Sequence, residues 1–264
     1  MLEIQGVTKI FHPGTVNEKV AIDELSLTLN DGDFVTVIGG NGAGKSTLLN
    51  LIAGSYTPDE GKIFIDGNNV TKLPEYRRAK FIGRVFQDPM VGTAADMWIE
   101  ENMALANQRG KTRGLSWAIS QEDRAYYKEL LSSLDLDLES RLSTKVGLLS
   151  GGQRQAITLL MASMNHPKLL LLDEHTAALD PKTAAKVLEI TQRIVETEKL
   201  TTLMITHNMK DAIAIGNRLI MMNNGKIIYD ISGEEKKNLT VATLMELFAK
   251  AANGDLANDR MLLG

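Results

Sequence analysis

Residues 39–46 read Gly-Gly-Asn-Gly-Ala-Gly-Lys-Ser and match the phosphate-binding pattern G-x-x-x-x-G-K-[ST] at every fixed position. The apolar, β-branched segment Phe34–Ile38 precedes this stretch and predicts a buried strand. Apolar residues at helical spacing follow over residues 47–53, up to Gly54, and predict a helix. A glycine-rich loop between a strand and a helix lets several backbone N–H groups point at one spot, where the helix N-terminus adds a partial positive charge. The stretch therefore predicts a phosphate-binding loop.

Side chains in this loop predict how a nucleotide would be held. We expect Lys45 to reach the β- and γ-phosphates and the Ser46 hydroxyl to bind Mg²⁺. A chance glycine turn does not account for the strand, the helix, the lysine and the hydroxyl together. The predicted nucleotide contacts in this segment are Gly39, Asn41, Gly42, Ala43, Gly44, Lys45, Ser46 and Thr47.

Composition places the chain among ordinary globular proteins and excludes several kinds of chemistry. It has 264 residues, of which 44% are hydrophobic and 23% charged, and a formal net charge of −4. The absence of cysteine excludes disulfides, cysteine-based zinc sites and thiol catalysis. The acidic balance gives no electrostatic reason to expect nucleic acid as a partner. No secretory signal is visible at the N-terminus and no apolar run approaches the ~20 residues that span a bilayer, so we expect a cytoplasmic protein.

Hydrophobic periodicity predicts an α/β fold. Residues 1–38 alternate like antiparallel strands, with another short strand at residues 63–67. Residues 88–165 are rich in helix-forming residues and predict an inserted helical subdomain. We therefore predict one domain over residues 1–264, with a P-loop NTPase core built on a mostly parallel sheet and an antiparallel β subdomain beside it.

The second half of the chain supplies the parallel strands of this prediction. A strand at residues 169–172, a helix at 181–198 and a strand at 202–205 form a unit typical of a parallel sheet. The segment Asn223–Lys226 lies between two apolar runs and predicts a hairpin turn. An apolar stripe at helical spacing, which we interpret as packing, consists of Val241, Leu244, Met245 and Phe248.

Two carboxylates follow the predicted strand at residues 169–172. The end of a parallel strand would bring Asp173 and Glu174 to the sheet edge where the phosphate loop lies. Asp173 would hold Mg²⁺, directly or through water. Glu174, one residue further on, would polarise a water molecule aimed at the γ-phosphate.

A pentapeptide lies between the two nucleotide motifs. Residues Leu149–Gln153 read Leu-Ser-Gly-Gly-Gln, and with the phosphate loop and Asp173-Glu174 they resemble the signature of ATP-binding cassette (ABC) ATPases. Ser150 is a good N-cap for the helix that follows, and Gly151 and Gly152 would expose backbone N–H groups to an anion. We reason that a helix cap alone would not need two glycines and a glutamine at Gln153.

The resemblance covers nearly the whole chain and implies further site residues. Gln87 looks like the glutamine that senses Mg²⁺ and the attacking water, and His207 looks like the histidine that contacts the γ-phosphate. Phe11 would stack on adenine, and the segment Ala178–Asp180 looks like the loop that crosses the dimer interface. Two departures are His175, where the family usually has proline, and an alanine (177 or 178) in place of the usual serine.

The resemblance also implies cofactors and partners. Two copies would face each other head to tail, with each ATP and its Mg²⁺ between the phosphate loop of one copy and Ser150–Gln153 of the other. Lys45, Gln87, Glu174 and His207 would carry catalysis. The chain would be a peripheral protein on the inner face of the cell membrane, held by separate transmembrane permease subunits and served by an extracellular solute-binding protein.

Two alternatives to import of a small solute stay open at this point, and a third is set aside. Export or lipoprotein extraction would use a similar motor. A soluble ABC ATPase of translation or DNA repair typically carries two cassettes or a long coiled-coil insertion, neither of which this sequence shows. A P-loop kinase would not explain Leu149–Gln153.

Overall fold

A computed structural model describes residues 1–111 and 119–250. The strands are β1 (Leu2–Phe11), β2 (Lys19–Leu29), β3 (Phe34–Gly39), β4 (Glu60–Ile65), β5 (Asn68–Asn69), β6 (Ile82–Val85), β7 (Leu169–Asp173), β8 (Thr202–Ile205), β9 (Arg218–Asn223) and β10 (Lys226–Ser232). The helices are α1 (Lys45–Ala53), α2 (Glu75–Arg78), α3 (Ile99–Asn107), α4 (Gln121–Ser132), α5 (Gly151–Ser163), α6 (Pro181–Glu198), α7 (Met209–Ala214) and α8 (Gly233–Lys237). A 3₁₀ turn spans Val146–Leu148, and residues 241–250 are helical.

A six-stranded sheet with the order β10-β9-β3-β8-β7-β6 forms the centre of the molecule. Strands β6, β7, β8, β3 and β9 run parallel, and β10 returns antiparallel to β9 through the predicted hairpin. In β3 and β7 nearly every residue is buried, as expected when helices cover both faces of a parallel sheet. The α/β class and the mostly parallel core sheet are therefore confirmed.

A second sheet with the order β2-β1-β4-β5 is antiparallel throughout and forms the predicted β subdomain. The antiparallel alternation expected over residues 1–38 extends only to Leu29. The segment Phe34–Gly39 instead pairs in parallel with β8 and β9, because both of its faces are apolar and buried.

Helices α3, α4 and α5 lie between β6 and β7 in the sequence, within the segment predicted to be helical. They share a core that also includes the loop leucines after α4. The buried contributors from the three helices include Ile99, Met103, Tyr127, Leu131, Ile157 and Leu159.

The C-terminal helix confirms part of the predicted apolar stripe. Leu244 is fully buried and Phe248 packs beside it, against residues of β9 and β10. Met245 is 58% exposed, so its assignment to the packed stripe is wrong; Leu247 takes the place beside the core instead. The predicted domain limit at residue 264 lies beyond the described residues. Among residues 1–111 and 119–250, no helix is long and apolar enough to cross a bilayer.

Candidate functional site

The phosphate loop needs glycine where its backbone turns. Gly42 and Gly44 have φ values of 81° and 98°, a left-handed conformation that other residues adopt at a cost. A Cβ atom on Gly44 would lie 2.5 Å from the carbonyl oxygen of Ala21, and one on Gly39 would lie 2.4 Å from that of Met222. The glycine spacing therefore reflects both backbone conformation and the close approach of β2 and β9.

Helix α1 begins without a side-chain cap. Its N-cap residue is Gly44, no side chain accepts a bond from the first turn, and that turn contains no acidic residue. The first main-chain N–H groups of a helix have no intrahelical acceptor, so those of Lys45, Ser46 and Thr47 remain available at the positive end of the helix dipole. This is the arrangement that binds phosphate in helix N-terminal anion sites.

Lys45 lies under the loop with its ammonium group inside it. Its Nζ donates hydrogen bonds to the carbonyl oxygens of Gly39 (2.8 Å) and Gly40 (3.1 Å). Burial lowers the pKa of Lys45 below its usual value, and the nearby carboxylates of Glu174 and Asp173 act in the opposite direction. An ammonium carries three protons, so one donor is left for an anion beside the loop.

The two carboxylates lie at the carboxyl edge of the sheet, as predicted. Asp173 ends β7, and burial raises its pKa, an effect that the charge of Arg84 opposes. Glu174 follows with a φ of 44°, and its backbone N–H donates to the carbonyl oxygen of Ile205 (3.1 Å). Its Oε2 lies 3.2 Å from Nδ1 of His207. A left-handed conformation at a non-glycine residue is costly and turns the Glu174 side chain away from the direction that a continued strand would give it.

Arg84 is also part of this edge, although no motif in the sequence singles it out. Its Nη2 donates to Oδ1 of Asn50 (2.7 Å) and lies 3.8 Å from Oδ2 of Asp173. The guanidinium also lies over the ring of Phe86, 4.5 Å from its centroid. Among the described residues, the buried Nε of Arg84 has no hydrogen-bond partner. A partly buried arginine is thus held between α1 and the Asp173 carboxylate, which we expect to bind metal.

One pocket collects much of the predicted site. It has a volume of about 270 Å³ and contains Phe11, Glu174 and the loop residues 41–47. The Phe11 ring meets the ring of Tyr56 edge to face, with centroids 5.3 Å apart. Lys19 and Ala21, which the sequence did not single out, also line the pocket.

The remaining predicted residues lie around this pocket. His207 lines a neighbouring pocket of about 460 Å³ that shares Glu174 with the first. Gln87 is exposed, immediately after Phe86, whose carbonyl oxygen accepts a hydrogen bond from Nε2 of Gln155 (3.1 Å). Gln155 joins α5 to the segment before Gln87 and was not expected from the sequence.

Residues Ser150–Gln153 do not line the pocket of their own chain. Ser150 Oγ accepts from the backbone N–H of Gln153 (3.2 Å), and the Gln153 side chain accepts from the N–H of Ser150 (3.2 Å). This reciprocal capping box explains the glutamine, so the argument that a cap would not need it is wrong. A Cβ on Gly152 would lie 2.1 Å from Thr183 Cγ2, so this glycine is also explained by packing against α6.

His175, the departure from the expected proline, is a packing residue. It is 2% exposed, and its Nε2 lies 3.0 Å from the hydroxyl of Thr191. That hydroxyl donates to the carbonyl oxygen of Val187, so it accepts from Nε2–H of His175. Burial lowers the pKa of His175 to about 4 and keeps the imidazole neutral.

The donor set fits a magnesium ion shared with a bound phosphate. Within the described residues, no group of three or more His, Asp or Glu side chains could hold a metal without a ligand. Mg²⁺ typically takes one or two protein oxygens together with substrate phosphates and water. One carboxylate at Asp173 and one hydroxyl at Ser46 are donors of this kind.

A larger cleft of about 1000 Å³ lies at the opposite end of β3 and β9. Its charged groups are already engaged with the protein: Arg218 pairs with Asp230 (2.5 Å), and Lys236 donates to the carbonyl oxygen of Gly216 (2.9 Å). Ligands of open parallel sheets bind at the carboxyl ends of the strands. We therefore place the functional site at the smaller pocket.

Comparisons with known proteins agree with this placement. A family model described as ABC transporter matches residues 22–177. A tyrosine transport ATP-binding protein of Clostridioides difficile is 45% identical over 251 residues, which cover 95% of this chain and 100% of the relative. A methionine import ATP-binding protein of Corynebacterium efficiens is 34% identical over 233 residues, which cover 86% of this chain and 61% of the relative.

A solved structure is similar over most of the fold. It is a dimeric ATP-binding cassette in a post-hydrolysis state, bound to ADP and Pi, with 30% sequence identity and a TM-score of 0.74. The match covers 88% of this chain and 98% of that chain. The chain therefore belongs to the ABC transporter family and is one of its ATPase cassettes.

Proposed function

We propose that this chain is the ATP-hydrolysing motor subunit of a membrane importer for a small solute. The observation that carries the proposal is the pocket in which the uncapped start of α1, the Lys45 ammonium and the Glu174 carboxylate meet. Free N–H donors and a lysine suit a polyphosphate, and a carboxylate beside them suits activation of water. The tyrosine relative is named for transport and the methionine relative for import, and the second name favours import as the process that is driven.

The proposed chemistry is transfer of the γ-phosphoryl group of ATP to water. Backbone N–H groups of residues 41–47 and the Lys45 ammonium hold the phosphates and stabilise the charge that develops on them. Glu174 accepts the proton of the attacking water, and His207, 3.2 Å from its carboxylate, orients this group and the γ-phosphate. Phe11 offers an aromatic face to the adenine.

Mg²⁺ is proposed as the metal, held by Ser46 and Asp173 with Gln87 beside them. When bound, the ion neutralises charge on the phosphates during transfer. Burial raises the pKa of Asp173, and the charge of the neighbouring Arg84 opposes that rise and so favours the ionised carboxylate that would bind the metal.

A second copy of the chain is proposed to complete each site. Ser150–Gln153 lies outside the pocket of its own chain, and the solved cassette bound to ADP and Pi is dimeric. The α5 N-terminus, with its two glycines, is suited to face the phosphates of the partner copy. ATP binding then closes the pair and hydrolysis reopens it.

The membrane partners are proposed to be separate permease subunits on the inner face of the cell membrane. The segment after Gln87 exposes apolar side chains at Met90, Val91 and Trp98, which are available to pack against a partner. We propose that this segment meets the permease, and that a solute-binding protein outside the cell delivers the solute to it.

Glu174→Gln provides the test of the catalytic assignment. Loss of the base is expected to slow hydrolysis by roughly 10²- to 10⁴-fold while ATP binding is retained. Glu196→Gln, an exposed carboxylate of α6 that is altered in the same way, serves as the matched control and should hydrolyse ATP like the wild type. Hydrolysis by Glu174→Gln at the wild-type rate would remove Glu174 from the mechanism.

The transport role is tested by recovering tagged Glu174→Gln from solubilised membranes with ATP and Mg²⁺. A multi-span permease in the eluate, identified by mass spectrometry, supports the motor role, and tyrosine is the first solute to test for ATP-dependent uptake. Efflux rather than uptake would replace import by export or lipoprotein extraction. Ribosomal or DNA-repair proteins without a membrane protein would refute the transporter role.

A further inference from the structure

A second lysine lies at the mouth of the nucleotide pocket. Lys19 is the first residue of β2, and in the β1–β2 pairing its Cα is the direct partner of Phe11. Both residues line the pocket, together with the phosphate loop. The Nζ of Lys19 lies 3.4 Å from the position that a Cβ on Gly42 would occupy, which places the ammonium against the middle of that loop.

Lys19 differs from the other lysines near the pocket because its ammonium has no carboxylate partner in the described part of the chain. Lys9 pairs with Asp59 at 3.0 Å, and Lys226 pairs with Asp23 at 2.9 Å. Lys45 donates to two loop carbonyls. For Lys19, no carboxylate oxygen within residues 1–111 and 119–250 lies close enough for an ion pair.

We propose that Lys19 is a second cation for the phosphates of the bound nucleotide, acting from β2 while Lys45 acts from α1. The inference rests on the proposed function, since it assumes that the pocket binds ATP. The strand pairing supplies the geometry: Phe11 offers an aromatic ring for the base, and its cross-strand partner offers a charge for the phosphates. A polyphosphate carries several negative charges, and an uncompensated ammonium at its entrance stabilises it without displacing another partner.

The contribution is expected to be moderate because Lys19 is exposed. Removing its charge should weaken ATP binding by about fivefold at physiological salt, between the small effect of an exposed ion pair and that of a charge-assisted hydrogen bond. Screening should reduce the difference at about 1 M salt, where the Debye length is roughly 3 Å. Adenosine, which lacks phosphate, should be bound equally by wild type and variant.

The experiment measures displacement of a fluorescent ADP analogue by a non-hydrolysable form of ATP, by ADP and by adenosine, with Mg²⁺ present, so that the proposed metal is retained and hydrolysis does not contribute. The proteins compared are wild type, Lys19→Gln, Lys19→Arg and Lys62→Gln, the last removing an exposed lysine from the same antiparallel sheet. We expect weaker binding of ATP and ADP only in Lys19→Gln, with Lys19→Arg close to wild type.

The outcomes separate this inference from the proposed function. If the wild type does not bind ATP, the proposed function fails. If the wild type binds ATP and Lys19→Gln matches Lys62→Gln, the role of Lys19 is refuted while the ATPase assignment stands. An equal loss of ATP and adenosine binding would also overturn it, because the substitution would then act on the base and not on the phosphates.

Discussion

Replacement of Gly152 by alanine should destabilise the folded chain through a single contact with α6. The added Cβ would lie 2.1 Å from Cγ2 of Thr183, far inside van der Waals distance, and 3.6 Å from the Thr183 Cβ, an ordinary contact. Gly152 does not have a positive φ, so the backbone accepts alanine. Steric overlap with one methyl group is therefore the whole of the expected cost.

The magnitude follows from two opposing effects. Overpacking in a buried contact costs about 1–3 kcal/mol, and the β-branched Thr183 has few alternative rotamers on a helix with which to avoid it. Alanine in place of glycine within a helix stabilises the folded chain by roughly 0.5–1 kcal/mol. We expect Gly152→Ala to lower the free energy of unfolding by about 1–2 kcal/mol.

The control repeats Gly152→Ala in a protein that carries Thr183→Ser, because this substitution removes Cγ2 and keeps the hydroxyl group. In this background the nearest contact of the new Cβ is the 3.6 Å one, so Gly152→Ala should become stabilising by roughly 0.5–1 kcal/mol. Urea unfolding of nucleotide-free protein, followed by circular dichroism, gives the four free energies of the double-mutant cycle. Equal destabilisation in both backgrounds would refute the packing explanation.

Three further predictions concern the carboxyl edge of the sheet. Burial lowers the pKa of His175 to about 4, so as the pH falls the unfolded chain takes up a proton on this residue before the folded chain does. The free energy of unfolding that depends on neutral His175 is fully present above pH 6.5 and should fall by about 3 kcal/mol as the pH drops towards 4. Urea unfolding at a series of acidic pH values should show a smaller loss for His175→Gln. Arg84→Lys removes the guanidinium group that reaches both Asn50 and Asp173, and should lower the free energy of unfolding by about 1–3 kcal/mol. An unchanged free energy of unfolding would show that these contacts do not stabilise the fold. Glu174→Gly should be more stable than Glu174→Gln by roughly 0.5–1 kcal/mol, because only glycine relieves the left-handed conformation, and equal unfolding midpoints would contradict this.

Local signals in the sequence predicted the elements that the parallel core needs. The α6 limits, Pro181–Glu198, are those expected from the pattern, since Asp180 caps the helix start and proline occupies its first turn. The apolar, β-branched segment Phe34–Ile38 predicts the strand that leads into the phosphate loop, and the observed strand β3 ends one residue later, at Gly39. Elements defined by their own residues and caps can be read from sequence in this way.

Contacts between distant segments could not be predicted in the same way. Arg84 reaches Asn50 and Asp173 across a buried space, and Lys19 reaches the phosphate loop from another strand. Arg84 lies in a short strand and Lys19 at the end of a loop, and neither local pattern indicates which distant residues the side chain contacts. Those contacts depend on how the two sheets pack together. The Gln153 side chain is a different case, because its capping contact with Ser150 is local and follows from the Ser-x-x-Gln spacing of a capping box.

The two glycine-rich segments differ in how far their own chain satisfies them. At α5, the cap donors and acceptors of Ser150 and Gln153 bond to each other, and Gly152 lies against Thr183, so nothing in that segment requires a ligand for stability. At α1, the first turn has no side-chain cap, the adjoining Glu174 keeps a costly backbone conformation, and the charge of Lys19 has no partner among the described residues. Unsatisfied hydrogen-bond donors and strained backbone are typical of binding sites, where contacts with the ligand offset their free-energy cost. The structure of a single chain thus favours nucleotide binding at the phosphate loop, and it leaves α5 with no need of a ligand from its own chain, which fits its proposed role opposite a second copy.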